Sequence, residues 1–277
     1  MSGRGAGLGV GVGFRPEWLG ELMLQRGEVD FLEVTIEHFV GGVPERQGEL
    51  DLLGRHFPLI PHGLNLSLGS AEGVDEGHLE RVAEVVQRVG PWWWSEHVAW
   101  TRAGGVEMGH LSPLPWTGEA LRVLVRNIRR VGERIPFPLI LENITANWVL
   151  PGAEMSEPEF LRRLVEETGC GLLLDITNLH INACNHGFDA RRFVDALPLE
   201  RVVQLHFVGC EERDGRLHDA HATDMSPPLW ELLDHVLAAA PVRGAILERD
   251  ERIPPLGEVL GDLRRAREMG RKYGRWS

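Results

Sequence analysis

Eight short apolar runs alternate with eight amphipathic segments along the sequence, and this alternation constrains the fold more than any other feature. The apolar runs occupy residues 7–14, 30–36, 58–68, 92–100, 138–144, 171–179, 201–209 and 244–250. Segments with a helical spacing of apolar residues occupy residues 16–26, 44–55, 75–89, 117–134, 156–168, 189–197, 228–240 and 255–272. Strands that alternate with helices form parallel sheets, and eight such units close into a barrel. The sequence therefore predicts the α/β class, with a single (β/α)8 TIM barrel.

The length and the continuity of this pattern predict one domain. The chain has 277 residues, and α/β barrels of about 250 residues fold as one domain. No linker, low-complexity tract or block of like charges interrupts the series. Helix-start signals at Thr117, Ser156 and Asp189 support the helix assignments. We expect one domain over residues 1–277, with its functional site where the carboxyl ends of the strands meet.

Charge and cysteine content exclude several classes of protein. The formal net charge of −12 comes from 41 acidic and 29 basic residues, which disfavours nucleic acid or an anionic membrane as a partner. The three cysteines, Cys170, Cys184 and Cys210, include no CxxC pair, so we expect neither a disulfide framework nor a thiolate zinc site. No apolar run is long enough to span a membrane, and the segment MSGRGAGLGVGVGF lacks a signal-peptide pattern. We expect a soluble, cytoplasmic protein.

Histidines and carboxylates lie in the middle or at the carboxyl end of six apolar runs. These residues, with one neighbouring amide, are His62, Glu96, His97, Glu142, Asn143, Asp175, His206 and Glu248. The loop expected after the seventh run adds His218, Asp219 and His221. In a barrel these strand ends converge on one face, where the following loops build the active site. The sequence therefore directs imidazole and carboxylate groups from six strands to one place.

Each of these residues has an ordinary structural explanation when it is taken alone. A single histidine in a strand is most often a hydrogen-bonded structural residue, and a carboxylate at a strand end can cap a helix or pair with an arginine. The combination is different, because three carboxylates at one barrel mouth repel each other unless cations lie between them. Imidazole together with carboxylate suits iron, zinc or manganese. The number of candidates indicates two or three metal ions, with Glu142 as the bridging ligand.

Successive motifs of the chain resemble those of the multinuclear non-heme iron-dependent oxidative enzymes, a family first known as a domain of unknown function. They run in order from His62 to about Leu256 as HGLNLSLG, SEHVAW, HLSPLPWT, LILENI, MSEPEFL, GLLLDITN, NACNHGFDA, VVQLHFVG, DAHATD and LERDERIPPL. The resemblance implies a TIM barrel of the xylose-isomerase-like type. It also implies an oxidase that uses iron and dioxygen to modify a cysteine-containing ribosomal peptide, as in methanobactin and 3-thiaglutamate biosynthesis.

The resemblance further assigns cofactors, partners and site residues. It implies two or three iron ions per chain, a cysteine-containing precursor peptide as substrate, and a separate partner protein that binds the leader peptide. The implied metal ligands are His62, His97, Glu142, Asp175, His206, Asp219, His221 and Glu248. Asn178 stands where the related endonuclease IV-type nucleases have a histidine, so it is a ninth, weaker candidate or marks an open position. Glu142, Asp175 and Asn178 are the expected catalytic residues.

The segment HINACNHG, which follows Asn178 almost directly, is expected to be a loop that shapes the rim of the site. Within it, Asn185 and His186 are expected to organise that loop rather than to bind metal. His180 is expected either to donate a hydrogen bond near the metals or to face solvent. Cys184 is not needed as a nucleophile if metals supply the chemistry.

Three further features have open interpretations. Glu33 and Glu37 point toward the barrel mouth if the strand register is right, and they would pair with an arginine, orient a ligand histidine or contact the substrate. The tryptophans at positions 92–94 are expected in the core and in the surface against which helices pack, because indole rings supply a large buried area. The alternative is a platform for a peptide.

Three other functions remain open on the sequence. A metal-dependent phosphodiesterase of the endonuclease IV type shares the barrel and most ligand positions, but a chain with one lysine, Lys272, and a strong negative charge is poorly suited to phosphate backbones. A sugar isomerase with two metals is disfavoured, because no predicted strand carries a lysine. A non-catalytic metal-binding protein is the third alternative.

Overall fold

Residues 7–277 are the part of the chain that the computed structural model describes, and they form twelve strands and nine α-helices. The strands are β1 (Gly9–Gly13), β2 (Leu32–Thr35), β3 (Leu59–His62), β4 (Trp94–His97), β5 (Trp100–Ala103), β6 (Val106–Ser112), β7 (Leu139–Glu142), β8 (Gly171–Asp175), β9 (Val202–Phe207), β10 (Gly209–Arg213), β11 (Arg216–Thr223) and β12 (Gly244–Leu247). The helices are α1 (Leu19–Leu24), α2 (Pro44–His56), α3 (Glu76–Val89), α4 (Gly118–Arg134), α5 (Glu157–Thr168), α6 (Ile176–His186), α7 (Ala190–Ala196), α8 (Pro227–Ala239) and α9 (Leu256–Lys272). The first six residues of the expected domain and of the segment MSGRGAGLGVGVGF lie outside the described residues.

Eight parallel strands close into a barrel, which confirms the predicted fold class. Their order around the barrel is β1, β2, β3, β4, β7, β8, β9 and β12, and β12 pairs again with β1. The pairing aligns the polar strand ends with one another. His97 lies opposite Glu142, and Asp175 lies opposite His206. The register therefore brings neighbouring site candidates to the same height in the barrel.

The inside of the barrel is divided into an apolar lower layer and a polar upper layer. The lower layer, called the floor here, is a cluster separate from the main core and consists of Phe31, Ile60, Trp93, Ile140, Leu173 and Ile246. Side chains in a strand alternate between its two faces, so residues two positions apart share a face. Two positions after the floor residues come Glu33, His62, Ser95, Glu142, Asp175 and Glu248. One alternation thus builds both layers from the same strands.

The structure contains two antiparallel hairpins that were not predicted from the sequence. The first pairs β5 with β6 directly after β4, and the second pairs β10 with β11 directly after β9. Each turn has two consecutive residues with positive φ, Gly104 and Gly105 in the first and Asp214 and Gly215 in the second. Gly-Gly and Asp-Gly are typical of two-residue hairpin turns, so the signals were present. The expectation that His218, Asp219 and His221 lie in a loop is wrong, because they belong to β11.

The segment HINACNHG, which is expected from the sequence to be a loop, instead forms most of helix α6. The Asp175 carboxylate caps this helix by accepting a hydrogen bond from Asn178 N at 2.7 Å. At the other end Gly187 takes the left-handed conformation, with φ of +74°, which is the usual helix stop. Between these caps Leu179 and Ile181 are buried. The polar residues of this segment therefore project from a rigid helix.

Helix caps and core packing hold the outer layer against the barrel. Thr117, Ser156 and Asp189 each accept a hydrogen bond from a main-chain N–H in the first turn of the next helix, as the sequence predicts. In α4 the buried residues include Leu121, Leu124 and Ile128, which recur at helical spacing. Within the described residues no helix has the length and the apolar character needed to cross a membrane.

Candidate metal centre

A first group of ligand atoms, called the inner group here, meets near the barrel axis and consists of His62, His97 and Glu142. Glu142 Oε2 lies 3.3 Å from His97 Nε2 and 3.6 Å from His62 Nε2. The other ring nitrogens face away from Glu142: His62 Nδ1 lies 2.8 Å from Ser95 Oγ, and His97 Nδ1 lies 3.2 Å from the carbonyl oxygen of Gly63. Both imidazoles therefore present Nε2 to the same carboxylate oxygen.

A second group, the middle group, shares Glu142 with the first and adds Asp175, His206 and Glu248. His206 Nδ1 lies 3.1 Å from Glu142 Oε1 and 3.1 Å from Glu248 Oε2. On the opposite side of the ring, His206 Nε2 lies 2.9 Å from a Glu33 carboxylate oxygen. Glu142 thus turns one oxygen to each group. This is the geometry of a carboxylate placed between two cation positions.

A third group, the rim group, lies toward solvent and consists of His221, Glu248 and Asp250, with Asp219 beside them. His221 Nε2 lies 2.7 Å from Asp219 Oδ1 and 3.7 Å from Asp175 Oδ2. His221 Nδ1 lies 2.9 Å from Asp250 Oδ2 and 3.4 Å from Glu248 Oε2. The side chains of Asp219 and Asp250 are 32% and 46% exposed. The rim group is therefore where the site opens to solvent.

The backbone of His221 has an unusual conformation. Its φ is +44°, in the left-handed region that residues with a side chain rarely occupy. Such a conformation costs of order 1–3 kcal/mol and persists only where the surrounding structure imposes it. Here it places the imidazole of a hairpin strand between the carboxylates of the rim group.

The clustered charges shift the pKa values of several ligand candidates. Burial lowers the pKa of His97, but the Glu142 and Glu96 carboxylates outweigh burial and raise that pKa to about 9. Burial raises the pKa of Asp175 to about 7, against the effect of His221. Burial also acts on Glu142, yet the adjacent histidines, His206 first, bring its pKa below the ordinary value. Protonated histidines thus balance the carboxylates in the protein alone, and divalent cations would do the same at those positions.

Among the buried oxygen atoms of residues 7–277 that lack a hydrogen bond, two belong to the inner and middle groups. They are Glu142 Oε2 and Asp175 Oδ2. An unsatisfied buried carboxylate oxygen is costly, and native proteins usually supply a partner for it. Both atoms face histidine nitrogens at 3.3–3.7 Å, a spacing too long for a good hydrogen bond and suited to a shared metal ion. The donor set therefore fits divalent metal.

A chain of hydrogen bonds that sequence reasoning missed connects the floor to the middle group. Trp93 Nε1 donates to Gln204 Oε1 at 2.7 Å, and Gln204 Nε2 donates to Glu33 Oε2 at 2.6 Å. Glu33 in turn contacts His206. Of the roles open to Glu33, the structure displays contact with a candidate ligand histidine, and the Glu33 carboxylate also lies together with His62 and Glu248 in a fourth possible ligand group.

Helix α6 holds the loop that follows β7. Asn178, Asn182 and His186 recur every four residues on one side of this helix. Asn182 bonds the main chain of Ile144 and Ala146, and His186 Nε2 lies 2.7 Å from Ala146 O. Asn185 bonds both main-chain groups of Leu217 in the second hairpin. The helix therefore fixes the loops on both sides.

Asn178 is engaged in the same way. Its Oδ1 accepts a hydrogen bond from Thr145 Oγ1 at 2.5 Å, and its Nδ2 donates to Asn143 O at 3.1 Å. A metal ion would share the amide oxygen with Thr145. The assignment of Asn178 as a ligand stays a prediction.

Other residues singled out in the sequence lie outside the three groups. Glu37 Oε1 accepts hydrogen bonds from Leu64 N and Asn65 N, both at 2.9 Å, and so orders the loop after β3. His218 is exposed on β11. His180 contacts Cys184 Sγ at 3.8 Å. Asp250, by contrast, belongs to the rim group although the sequence analysis did not select it.

Comparisons with known proteins give a consistent family match. A family model described as "RiPP precursor modification enzyme MbnB/TglH/ChrH" matches residues 9–271. A "UPF0276 protein" from Streptomyces avermitilis is 39% identical over 275 residues, covering 96% of this chain and 56% of that protein. The chain thus spans little more than half the length of that relative. A "UPF0276 protein" from Rhizorhabdus wittichii is 36% identical over 282 residues, covering 99% of both chains.

A solved structure matches the fold. The crystal structure of a xylose isomerase domain protein from Planctomyces limnophilus has a TM-score of 0.61 and 11% sequence identity, with 95% of this chain and 97% of that chain covered. At this identity the likeness shows the barrel type alone, which is the expected xylose-isomerase-like one.

Proposed function

The chain belongs to the MbnB/TglH/ChrH family of RiPP precursor modification enzymes, and from this premise we propose that it is an iron-dependent oxidase. Its substrate is a cysteine of a ribosomally made precursor peptide, and its oxidant is dioxygen. The observation that carries the proposal is the position of Glu142, whose Oε1 faces His206 Nδ1 at 3.1 Å while its Oε2 faces His97 Nε2 at 3.3 Å. A bridging carboxylate is what a centre of two or three ions requires.

The donor set supports iron as the metal. Imidazole and carboxylate suit iron, zinc and manganese, whereas thiolate is absent from all four possible ligand groups of the described residues. We assign His62, His97 and Glu142 to one ion, and Glu142, Asp175, His206 and Glu248 to a second. Bound iron would supply one-electron oxidation with dioxygen, which no side chain provides.

The protein groups around the ions have separate roles in this proposal. Glu33 accepts the Nε2 proton of His206 and leaves Nδ1 for the metal, as carboxylate–histidine–metal arrangements do. Ser95 and the Gly63 carbonyl fix the other two imidazoles. Asp219 and Asp250 lie on the exposed side. Of the two, Asp250 is placed to pass the proton of a substrate thiol to water, since Asp219 is assigned to an ion below.

We assign the third ion to the rim group, with His221 and Asp219 as its ligands. Glu142, Asp175 and Asn178 are the catalytic residues in this proposal. Glu142 and Asp175 belong to the ligand groups, and Asn178 N donates a hydrogen bond to the Asp175 carboxylate. A separate partner protein that binds the leader peptide completes the proposal. The free thiols of Cys170, Cys184 and Cys210 are consistent with a reducing cytoplasm.

The test is the metal content of protein purified anaerobically from iron-replete cells, measured by elemental analysis together with Mössbauer or EPR spectroscopy. The expected result is two to three coupled irons per chain. Stoichiometric zinc without iron would contradict the oxidase and favour hydrolysis of the endonuclease IV type. Bound iron without oxidation of any cysteine-containing precursor peptide would favour a metal-binding protein without catalysis.

Variants make the ligand assignment testable. We expect Glu142→Ala and His206→Ala each to lose metal while the barrel stays folded by circular dichroism. His218→Ala is the matched control, because His218 lies on the same hairpin strand as two ligands but is exposed. Full metal content in both ligand variants would show the assignment to be wrong.

A further inference from the structure

A groove on the outer layer of the barrel has features of a binding site. It has a volume of about 750 Å³ and lies between the segment before α4, the loop after β7, the start of α5 and the region where α6 passes into α7. Three of the eight large apolar side chains that are exposed among residues 7–277 line it: Trp148, Val149 and Phe188. Single exposed apolar residues are common, but a contiguous set in a concave surface indicates a ligand.

Two pairs of aromatic side chains support the apolar walls of the groove. Phe188 stacks on Phe193 with ring centroids 5.7 Å apart, and Trp116 packs on Phe160 at 4.9 Å. Aromatic pairs of this kind are rigid and give the groove a fixed shape. The groove is therefore preformed.

One acidic residue in the groove lacks a counter-charge. Asp189 and Arg192 both line the groove and lie 3.9 Å apart, so they balance each other. The side chain of Glu157, by contrast, forms no hydrogen bond or ion pair within the described part of the chain. Burial alone raises the pKa of its carboxyl to about 7. The apolar groove thus carries one unbalanced acidic group, which a cation would complement.

The groove is connected to the metal centre by a short, fixed stretch of chain. The loop that follows β7 begins next to Glu142 and reaches the groove wall at Ala146 and Trp148. Asn182 and His186 hold Ala146 in place and themselves line the groove. A peptide in the groove therefore lies against the same loop that leaves the centre.

We propose that this groove binds a segment of the substrate peptide in which a lysine or arginine stands beside large apolar side chains. The basic group pairs with Glu157, and the apolar groups pack on Trp148 and Val149. This rests on the proposed function, because it takes a peptide to be the substrate. It adds that the enzyme itself recognises sequence outside the reacting cysteine.

The test is direct binding of short fluorescein-labelled peptides to the full chain, followed by fluorescence anisotropy without dioxygen. The probe has a Leu-Trp-Lys-Leu core in Gly-Ser flanks, and two matched peptides replace the lysine by glutamate or the apolar residues by serine. We expect the lysine peptide to bind at least about tenfold more tightly than either. Equal binding of the lysine and glutamate peptides, or no binding of the lysine peptide, would overturn the proposal.

Protein variants locate the binding. Glu157→Gln keeps the shape of the side chain and should weaken binding of the lysine peptide about tenfold. Trp148→Ser should weaken binding of this peptide by a similar factor. The controls are Glu159→Gln, an acid on the same helix that pairs with Arg163, and Trp92→Ser, an exposed tryptophan outside the groove. Thermal melting checks that all four variants are folded. Equal losses in variants and controls would refute the groove as the binding site.

Iron content and peptide oxidation, measured on the same preparations, separate the two proposals. Loss of groove binding with iron and turnover retained refutes the groove alone. If the peptides and variants bind in the expected order but the chain holds no iron and oxidises no peptide, the groove is supported and the oxidase is refuted.

Discussion

The floor and the polar upper layer, called the metal layer from here on, are built by the same strands from residues two positions apart, yet the two layers have opposite chemistry. In β7, Ile140 belongs to the floor and Glu142 to the inner and middle groups. Leu173 and Asp175 in β8 stand in the same relation, as do Ile246 in β12 and Glu248, which directly follows that strand. One step of the strand alternation separates a dry, close-packed layer from a layer of charged groups.

This difference shows how the fold supports a costly site. Charged groups that converge in a protein interior gain no packing energy of their own and are held there by the structure around them. The floor supplies apolar burial directly beneath them. We therefore expect substitutions in the two layers to affect different quantities: stability for the floor and metal affinity for the metal layer.

The strongest test is Glu142→Gln, which keeps the size of the side chain and removes its charge. We expect at least one ion to be lost and metal affinity to fall more than about 100-fold, since even groups that only orient a ligand change affinity 10–100-fold. Elemental analysis and a competitive chelator titration measure this. Retention of all ions would mean that Glu142 does not bridge.

The matched floor substitution is Ile140→Ala on the same strand. Removing buried methyl and methylene groups costs about 2–5 kcal/mol of unfolding free energy, measured by chemical denaturation. The metal content of the folded fraction should be unchanged. If this variant lost metal as Glu142→Gln does, the two layers would not be separable.

Gln204→Leu breaks the hydrogen-bond chain that joins the layers. Trp93 Nε1 and Glu33 would each lose a buried partner, so we expect about 1–3 kcal/mol of destabilisation and about 10-fold weaker metal binding. Denaturation and chelator titration report the two effects. Trp93→Phe is the control, because it removes the indole donor and leaves the bond between Gln204 and Glu33; its effect on metal binding should be smaller.

The smallest expected effect is a loss of stability with rising pH that bound metal prevents. In the chelated protein the pKa values of Asp175, about 7, and His97, about 9, exceed their ordinary values of 3.8 and 6.5. Raised values mean that the folded state binds more protons, so stability falls as pH rises, through 4–7 for Asp175 and 6.5–9 for His97.

We expect the melting temperature of the chelated protein to fall by roughly 5 °C between pH 5.5 and 9. The metal-loaded protein should not lose stability over this range, since its ligands bind metal better when deprotonated. His97→Gln should flatten the upper half of the curve and Asp175→Asn the lower half. Parallel curves for chelated and loaded protein would contradict the metal site.

The sequence predicts the barrel well because its signal is local. Apolar runs bounded by helix caps such as Thr117 mark the strands and helices directly. The two hairpins were missed although Gly104-Gly105 and Asp214-Gly215 carry the turn signal. Helix α6 was missed because its asparagines and histidines have low helix propensity, while its two caps and buried apolar residues decide the outcome.

The sequence predicts which residues form the candidate site better than it predicts the contacts between them. Strand-end position identifies His62, Glu142 and His206, since all barrel strands end at one face. The contact between Gln204 and Glu33 joins residues 171 positions apart, and it depends on strand order and on the exact register around the barrel. No local pattern reveals such a contact, so the groups that orient the ligands emerge only from the folded chain.

The hydrogen bonds by which α6 holds the loop after β7 have a consequence for how related enzymes diverge. Asn182 and His186 hold main-chain atoms of Ile144 and Ala146, which every amino acid provides. The side chains farther along this loop, such as Trp148 and Val149, are thus free to change without moving the backbone. Under the proposed function, new peptide preferences can evolve there while the candidate metal ligands keep their places.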